Sequence, residues 1–141
     1  MNTNDKCGFM IKQLHDSLEK ESNNMLRRDG LTMSQVGVLM LLDDTPGREL
    51  PLKEIEKFMK VAQSTAAGVI SRLEQKELVE SFGDPGDKRI KLVRLTSRGR
   101  QCCETAEENM NKAEENLLSS LTEAERKDFR ILLGKVRDTI K

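Results

Sequence analysis

Residues 51–95 read PLKEIEKFMKVAQSTAAGVISRLEQKELVESFGDPGDKRIKLVRL, and this stretch decides the fold. Pro51 suits a first helical turn, because its ring presets φ and its missing N–H is one that a helix start does not use. The short helix it opens runs to about Lys60, with Leu52, Ile55, Phe58 and Met59 expected inside. A longer helix follows from Gln63 to about Lys76. It carries Ala66, Val69, Ile70 and Leu73 on one side and Ser64, Thr65, Ala67, Gly68, Ser71 and Arg72 on the other. A short helix, a turn and a longer helix that begins with small polar residues is the layout of a helix-turn-helix. Leu78–Phe82 and Ile90–Leu95 then read as strands, joined by Gly83–Arg89, a loop rich in turn residues. The two strands form a hairpin with a basic tip. Helix-turn-helix plus hairpin is a winged helix.

Upstream, Ile11, Leu14, Leu18, Met25 and Leu26 recur at helical spacing from Lys6 to Arg28, and Asp29-Gly30 supplies a glycine stop. Thr32 and Gln35 form a capping box for a helix from Met33 to about Leu42, apolar nearly all round and therefore central. Asp43–Gly47 is a turn, and Arg48-Glu49-Leu50 has the makings of a short strand. Downstream, Thr96 caps a helix to about Ser120 whose Cys103, Ala106, Met110, Ala113 and Leu117 form a narrow seam of coiled-coil type. A second capping box, Thr122 with Glu125, opens a last helix with Phe129, Leu132, Leu133, Val136 and Ile140 on one side. The fold class is therefore mainly α with a small β hairpin. Residues 31–96 are the winged helix-turn-helix, and residues 1–30 and 97–141 are flanking helical regions of the same compact domain.

Composition narrows the function. In 141 residues there is no Trp or Tyr, and the aromatic content is 3%, so the core is aliphatic and helical. No stretch is apolar enough to cross a membrane, and the polar start, Met1 to Lys6, does not read as a signal peptide; a cytoplasmic protein is expected. Cys7, Cys102 and Cys103 make neither a disulfide framework nor a metal knuckle, and one histidine, His15, leaves little for a metal site or a catalytic triad. The expectation is no cofactor, no metal and no enzyme. Met33, Met40, Met59 and Met110 read as core filler, and Cys102-Cys103 as helix packing.

Net charge is zero, with 24 basic and 24 acidic side chains, yet the charges are segregated. Lys88–Arg100 holds six basic residues and no acid, whereas Cys102–Glu125 holds seven glutamates against one lysine. A local basic patch on a neutral chain favours a specific contact over indiscriminate adhesion. Short polar side chains and Arg72 on the second helix suit base edges in a major groove, and Lys88 and Arg89 suit phosphate or the negative potential of a minor groove. Each basic residue alone is better explained as a solvated surface group. Together with the helix pattern they point to double-stranded DNA, read by Gln63, Ser64, Thr65, Ala67, Gly68, Ser71 and Arg72 and by Asp87, Lys88, Arg89 and Lys91 of the hairpin.

The same residues resemble the MarR (multiple antibiotic resistance regulator) family of winged-helix regulators, in order along nearly the whole chain. The resemblance rests on Leu31-Thr32-x-x-Gln35-x-x-x-Leu39, Ser64-Thr65, Arg72-Leu73-Glu74, Leu78-Val79, Asp87-Lys88-Arg89 and Leu95-Thr96-x-x-Gly99. Gly68 replaces a residue often bulky or basic in the family, and Glu77 stands where a glycine usually ends the helix. The resemblance implies a homodimer formed by the terminal helices, through Ile11, Leu14, Leu18, Leu117, Leu121, Phe129, Leu133 and Val136. It further implies a pseudo-palindromic operator and a cleft for a small aromatic or apolar effector that releases DNA. Some members sense oxidants through a cysteine near the start of the first helix, where Cys7 stands; an inert thiol is the plainer alternative. A winged helix that binds protein or organises DNA without a ligand remains a further alternative.

Overall fold

The structure, a computed structural model, describes residues 2–140. Its elements run α1 (Cys7–Asp29), α2 (Met33–Asp44), β1 (Glu49–Pro51), α3 (Leu52–Met59), α4 (Gln63–Gln75), β2 (Val79–Gly83), β3 (Lys91–Leu95), α5 (Ser97–Leu117) and α6 (Glu123–Asp138). Both capping boxes close as the spacing requires. Thr32 Oγ1 accepts from the Gln35 N–H at 3.2 Å while the Gln35 side chain accepts from the Thr32 N–H at 3.3 Å, and Thr122 with Glu125 does the same at 3.2 and 2.9 Å. Each box satisfies two N–H groups that a helix start otherwise leaves unpaired. Gly30 ends α1 in the left-handed region, φ 70°.

The chain divides into two compact units, Met1–Ala106 and Glu107–Lys141. In the first, Val38, Leu39 and Leu42 of α2, Ile55 of α3, Ile70 and Leu73 of α4 and Val93 of β3 are sealed from solvent and form one aliphatic core. β3 lies between β1 and β2 and is antiparallel to both, with Val93 opposite Leu50 on one side and Ser81 on the other. The hairpin is thus the larger part of a three-stranded sheet. Alternation along β3 sends Val93 and Leu95 inward and Arg94 outward, where its guanidinium covers the Phe82 ring at 4.8 Å and pairs with Glu80 at 2.8 Å.

Three expectations are corrected. Pro51 ends β1 and caps α3 instead of occupying its first turn, a position that suits a residue with no N–H to give to an edge strand. Phe58 is 53% exposed and Met59 only half-buried, because α3 has eight residues and its inward stripe is used up by Leu52 and Ile55. Met33 and Met110 are exposed, not core, whereas Met40 and Met59 pack against the core.

The second unit is a helical hairpin built from the end of α5 and α6. Arg126 organises it: Nε donates to the Leu118 carbonyl at 3.0 Å and Nη1 to Glu115 at 3.0 Å. Leu118 is the one buried apolar residue among its described residues. No helix among the described residues is long and apolar enough to cross a membrane.

Candidate nucleic-acid interface

α4 turns Ala66, Val69, Ile70 and Leu73 inward, so the opposite face is presented outward by default. Gln63, Ser64, Thr65, Ser71 and Arg72 are exposed, and Ala67 and Gly68 are half-buried between them. A Cβ at Gly68 would meet nothing within 4 Å, so this face is open at its middle. Ala62 precedes the helix without a side-chain cap. The first N–H groups of α4, next to small side chains, are therefore suited to a phosphate oxygen.

The helix ends by a left-handed residue that is not glycine. Glu77 sits at φ 61°, its N–H donating to the Glu74 carbonyl at 2.9 Å while the Leu78 N–H reaches back to the Leu73 carbonyl at 3.0 Å. This pair of bonds is a Schellman ending, with Leu78 and Leu73 both buried across it. Surroundings hold Glu77 in place: its carbonyl accepts from Thr96 Oγ1 at 2.7 Å, and its carboxylate meets Arg98 at 3.0 Å. Thr96 Oγ1 also accepts from the Gly99 N–H at 3.0 Å and so caps α5. A side chain at Gly99 would collide with the Leu78 carbonyl and come within 2.7 Å of Leu95 Cδ1. The Leu-Thr-x-x-Gly motif therefore joins the start of α5 to the exit of α4.

At the wing, the Asp84 N–H donates to the Ile90 carbonyl at 2.9 Å and the Ile90 N–H to the Asp87 carbonyl at 2.9 Å, closing the tip. Asp87 then grips Arg89 three times. Its carboxylate accepts from the Arg89 backbone N–H at 3.1 Å, from Nε at 3.0 Å and from Nη2 at 3.1 Å. These bonds from Arg89 hold the Asp87 carboxyl below its ordinary value. The Arg89 side chain is nonetheless 91% exposed, so the guanidinium is oriented without being covered. Lys88 and Lys91 are exposed beside it. Asp87, expected among the DNA contacts, directs its carboxylate to Arg89 here, a relation that Asp-x-Arg in a tight loop can signal.

Lys76, at the end of α4, was not expected at the site. Its ammonium donates to the Gly30 carbonyl and lies 3.4 Å from the Gln35 side-chain oxygen. Gln35 is itself 5% exposed, the one buried polar residue among those described. Spacing gave no signal for either, since Lys76 falls after the apolar stripe and Gln35 was read only as a capping partner.

The other candidates separate clearly. Cys7 is exposed, Cys102 partly buried and Cys103 buried. Burial pushes the Cys103 thiol up to about 12, with Asp43 adding to it, and burial also raises Cys102. His15 brings a ring nitrogen near Asp16 and Glu19, but all three are exposed on one helix face and Asp16 already pairs with Lys12 at 2.9 Å. Of the residues read as dimer-forming, Ile11, Leu14, Leu133 and Val136 are exposed, and Leu18, Leu117, Leu121 and Phe129 are half-buried. α1 and α6 contain no buried residue.

A family model, the MarR family, matches residues 31–91. The chain is 30% identical over 122 residues to the HTH-type transcriptional regulator YxaD of Bacillus subtilis, covering 86% of this chain and 79% of that one. Of two further Bacillus subtilis HTH-type regulators that it matches, the chain spans 53% and 66% of the length. Among solved structures it is similar to YusO of Bacillus subtilis, with 25% identity, a TM-score of 0.85 and coverage of 93% and 92% of the two chains. It is also similar to BpsR of Bordetella bronchiseptica, whose DNA binding is regulated by 6-hydroxynicotinic acid, with 27% identity, a TM-score of 0.67 and coverage of 98% and 97%. The order of elements, the outward face of α4, the wing and these likenesses agree, and the chain belongs to the MarR family of helix-turn-helix transcriptional regulators.

Proposed function

We propose that this chain is a cytoplasmic homodimer that binds a pseudo-palindromic operator and represses transcription until a small aromatic or apolar molecule releases it. One observation carries the reading: the exposed polar face of α4 is paired with a wing whose Arg89 guanidinium is gripped by Asp87 yet open to a ligand. α4 enters the major groove with Gln63, Ser64, Thr65, Ser71 and Arg72 at base edges and Ala67 and Gly68 allowing close approach. Arg89, with Lys88 and Lys91, lies on the backbone or in the adjacent minor groove. Residues 31–96 do the reading, and residues 1–30 and 97–141 pair the two copies through the exposed apolar side chains of α1 and α6, which a lone chain would leave in water. A small acidic aromatic effector is supported by the likeness to BpsR, and an effector acts only through unequal affinity for the DNA-bound and released forms.

Footprinting on the DNA upstream of the chain's own gene tests this. The expected protection covers two half-sites about 34 Å apart, and binding weakens steeply as salt is raised. Uniform coating without a footprint would assign a DNA-organising role, and no binding to DNA would leave the protein-binding alternative. A panel of aromatic acids is expected to release the operator. If peroxide instead releases the wild type and not Cys7→Ser, the effector reading is wrong and Cys7 is a redox sensor.

A further inference from the structure

We propose that Lys76 is a positioning residue for operator recognition, fixing the end of α4 against the α1–α2 junction and so helping to set the distance between the two recognition helices of a dimer. The proposal rests on the dimeric, DNA-reading function given above. Three observations carry it. The Lys76 ammonium donates to the Gly30 carbonyl, the residue that ends α1, although 46 positions separate them in sequence. The Gly30 carbonyl lies one residue past the last turn of α1, close to the negative pole of that helix, so charge favours a cation there in addition to the hydrogen bond. The same ammonium lies 3.4 Å from the oxygen of Gln35, which also accepts from the Thr32 N–H at 3.3 Å. One buried amide thus links the start of α2 to the end of α4, and a buried polar link of this kind favours one arrangement over its neighbours. Finally, Glu77 next along the chain is bound to Thr96 and Arg98 at the start of α5. The exit of α4 is therefore held at adjacent residues to two different helices, α1 on one side and α5 on the other.

Exposed ends fixed at one point can swing, whereas an end fixed at two points toward different helices takes its direction from both. Lys76→Met keeps the hydrocarbon stem and removes the ammonium, and Lys76→Arg restores a cation with hydrogen-bond donors. An operator is first obtained by selecting random duplexes with the wild-type protein. Versions with one base pair added or removed between half-sites then measure tolerance to spacing. The wild type is expected to lose about tenfold or more in affinity on either altered spacing. In Lys76→Met, affinity for the selected operator falls about tenfold, the penalty for altered spacing shrinks toward nothing, and the salt slope stays unchanged. Lys76→Arg recovers most of the discrimination.

A Lys76→Met protein that keeps the full spacing penalty overturns the proposal. So does one whose affinity falls equally on selected and unrelated duplexes with a salt slope lower by about one, because that is the mark of a direct phosphate contact. Circular dichroism of each variant guards against misfolding, and Gln35→Met, which removes the amide while leaving the lysine, must shift spacing tolerance the same way. A wild type that enriches no sequence at all overturns the DNA-binding reading first, and this proposal with it.

Discussion

Glu77 carries a backbone conformation that glycine takes at no steric cost and that other residues take at about 1 kcal/mol. Its ion pair with Arg98 returns little, since both side chains are more than two-thirds exposed. Glu77→Gly is therefore expected to raise stability by about 0.5 kcal/mol and the melting temperature by about 2 °C, measured by thermal unfolding. An unchanged or lower value would mean that the Thr96 and Arg98 contacts outweigh the strain. The thiols differ as sharply. Cys7 is expected to react quickly with an alkylating reagent at pH 8, Cys102 slowly, and Cys103 only after unfolding, read by mass spectrometry of the modified chain. Because the folded Cys103 titrates at about 12 against an ordinary 9.0, the folded form binds more protons than the unfolded one across that window. Stability attributed to this thiol is whole below pH 9 and declines as pH rises toward 12. Cys103→Ala should flatten that decline in denaturant titrations.

At the scale of elements, the wing and the α4–α5 joint make opposite demands. Arg89→Ala removes a phosphate-seeking charge, so binding should weaken on operator and unrelated duplexes alike and the salt slope should fall by about one. Asp87→Ala leaves the charge and removes its three hydrogen bonds; operator affinity should fall while unrelated duplex is held as well or better. Titration of both variants against both duplexes distinguishes these outcomes. Gly99→Ala forces a methyl group into the Leu78 carbonyl and should cost about 2 kcal/mol or more, seen as a clear loss of thermal stability. Much of this scale was legible in advance. Thr32 with Gln35 and Thr122 with Glu125 announce helix starts because the capping chemistry is local, and Ala66, Val69, Ile70 and Leu73 announce the inner face of α4 because their spacing is helical. Contacts that close over long sequence separations were not legible: β1 against β3, Lys76 on Gly30, Glu77 on Thr96. Phe58 failed for a different reason, since periodicity alone does not tell how far a short helix extends beneath its neighbours.

On the scale of the molecule, the terminal helices set the expectation. Met10, Ile11 and Leu14 on α1 and Ile131, Leu132, Leu133 and Val136 on α6 are all exposed, an apolar content that water does not favour. Sedimentation at micromolar concentration is expected to give a dimer, and replacing Leu14 and Leu133 together by aspartate should give a monomer with no operator binding. A monomeric wild type would remove the basis for two half-sites. The helical hairpin Glu107–Lys141 makes this measurable in another way. With Leu118 as its one buried apolar residue among those described, it has almost no core of its own, and a helix pair that buries so little has a small free energy of opening. Lys112 and Lys127, both exposed, offer trypsin its cleavage points there. Dilution would then speed the clipping of this segment relative to cuts elsewhere in the chain, so the rate of a single proteolytic nick becomes a gauge of how much of the protein is unpaired at a given concentration.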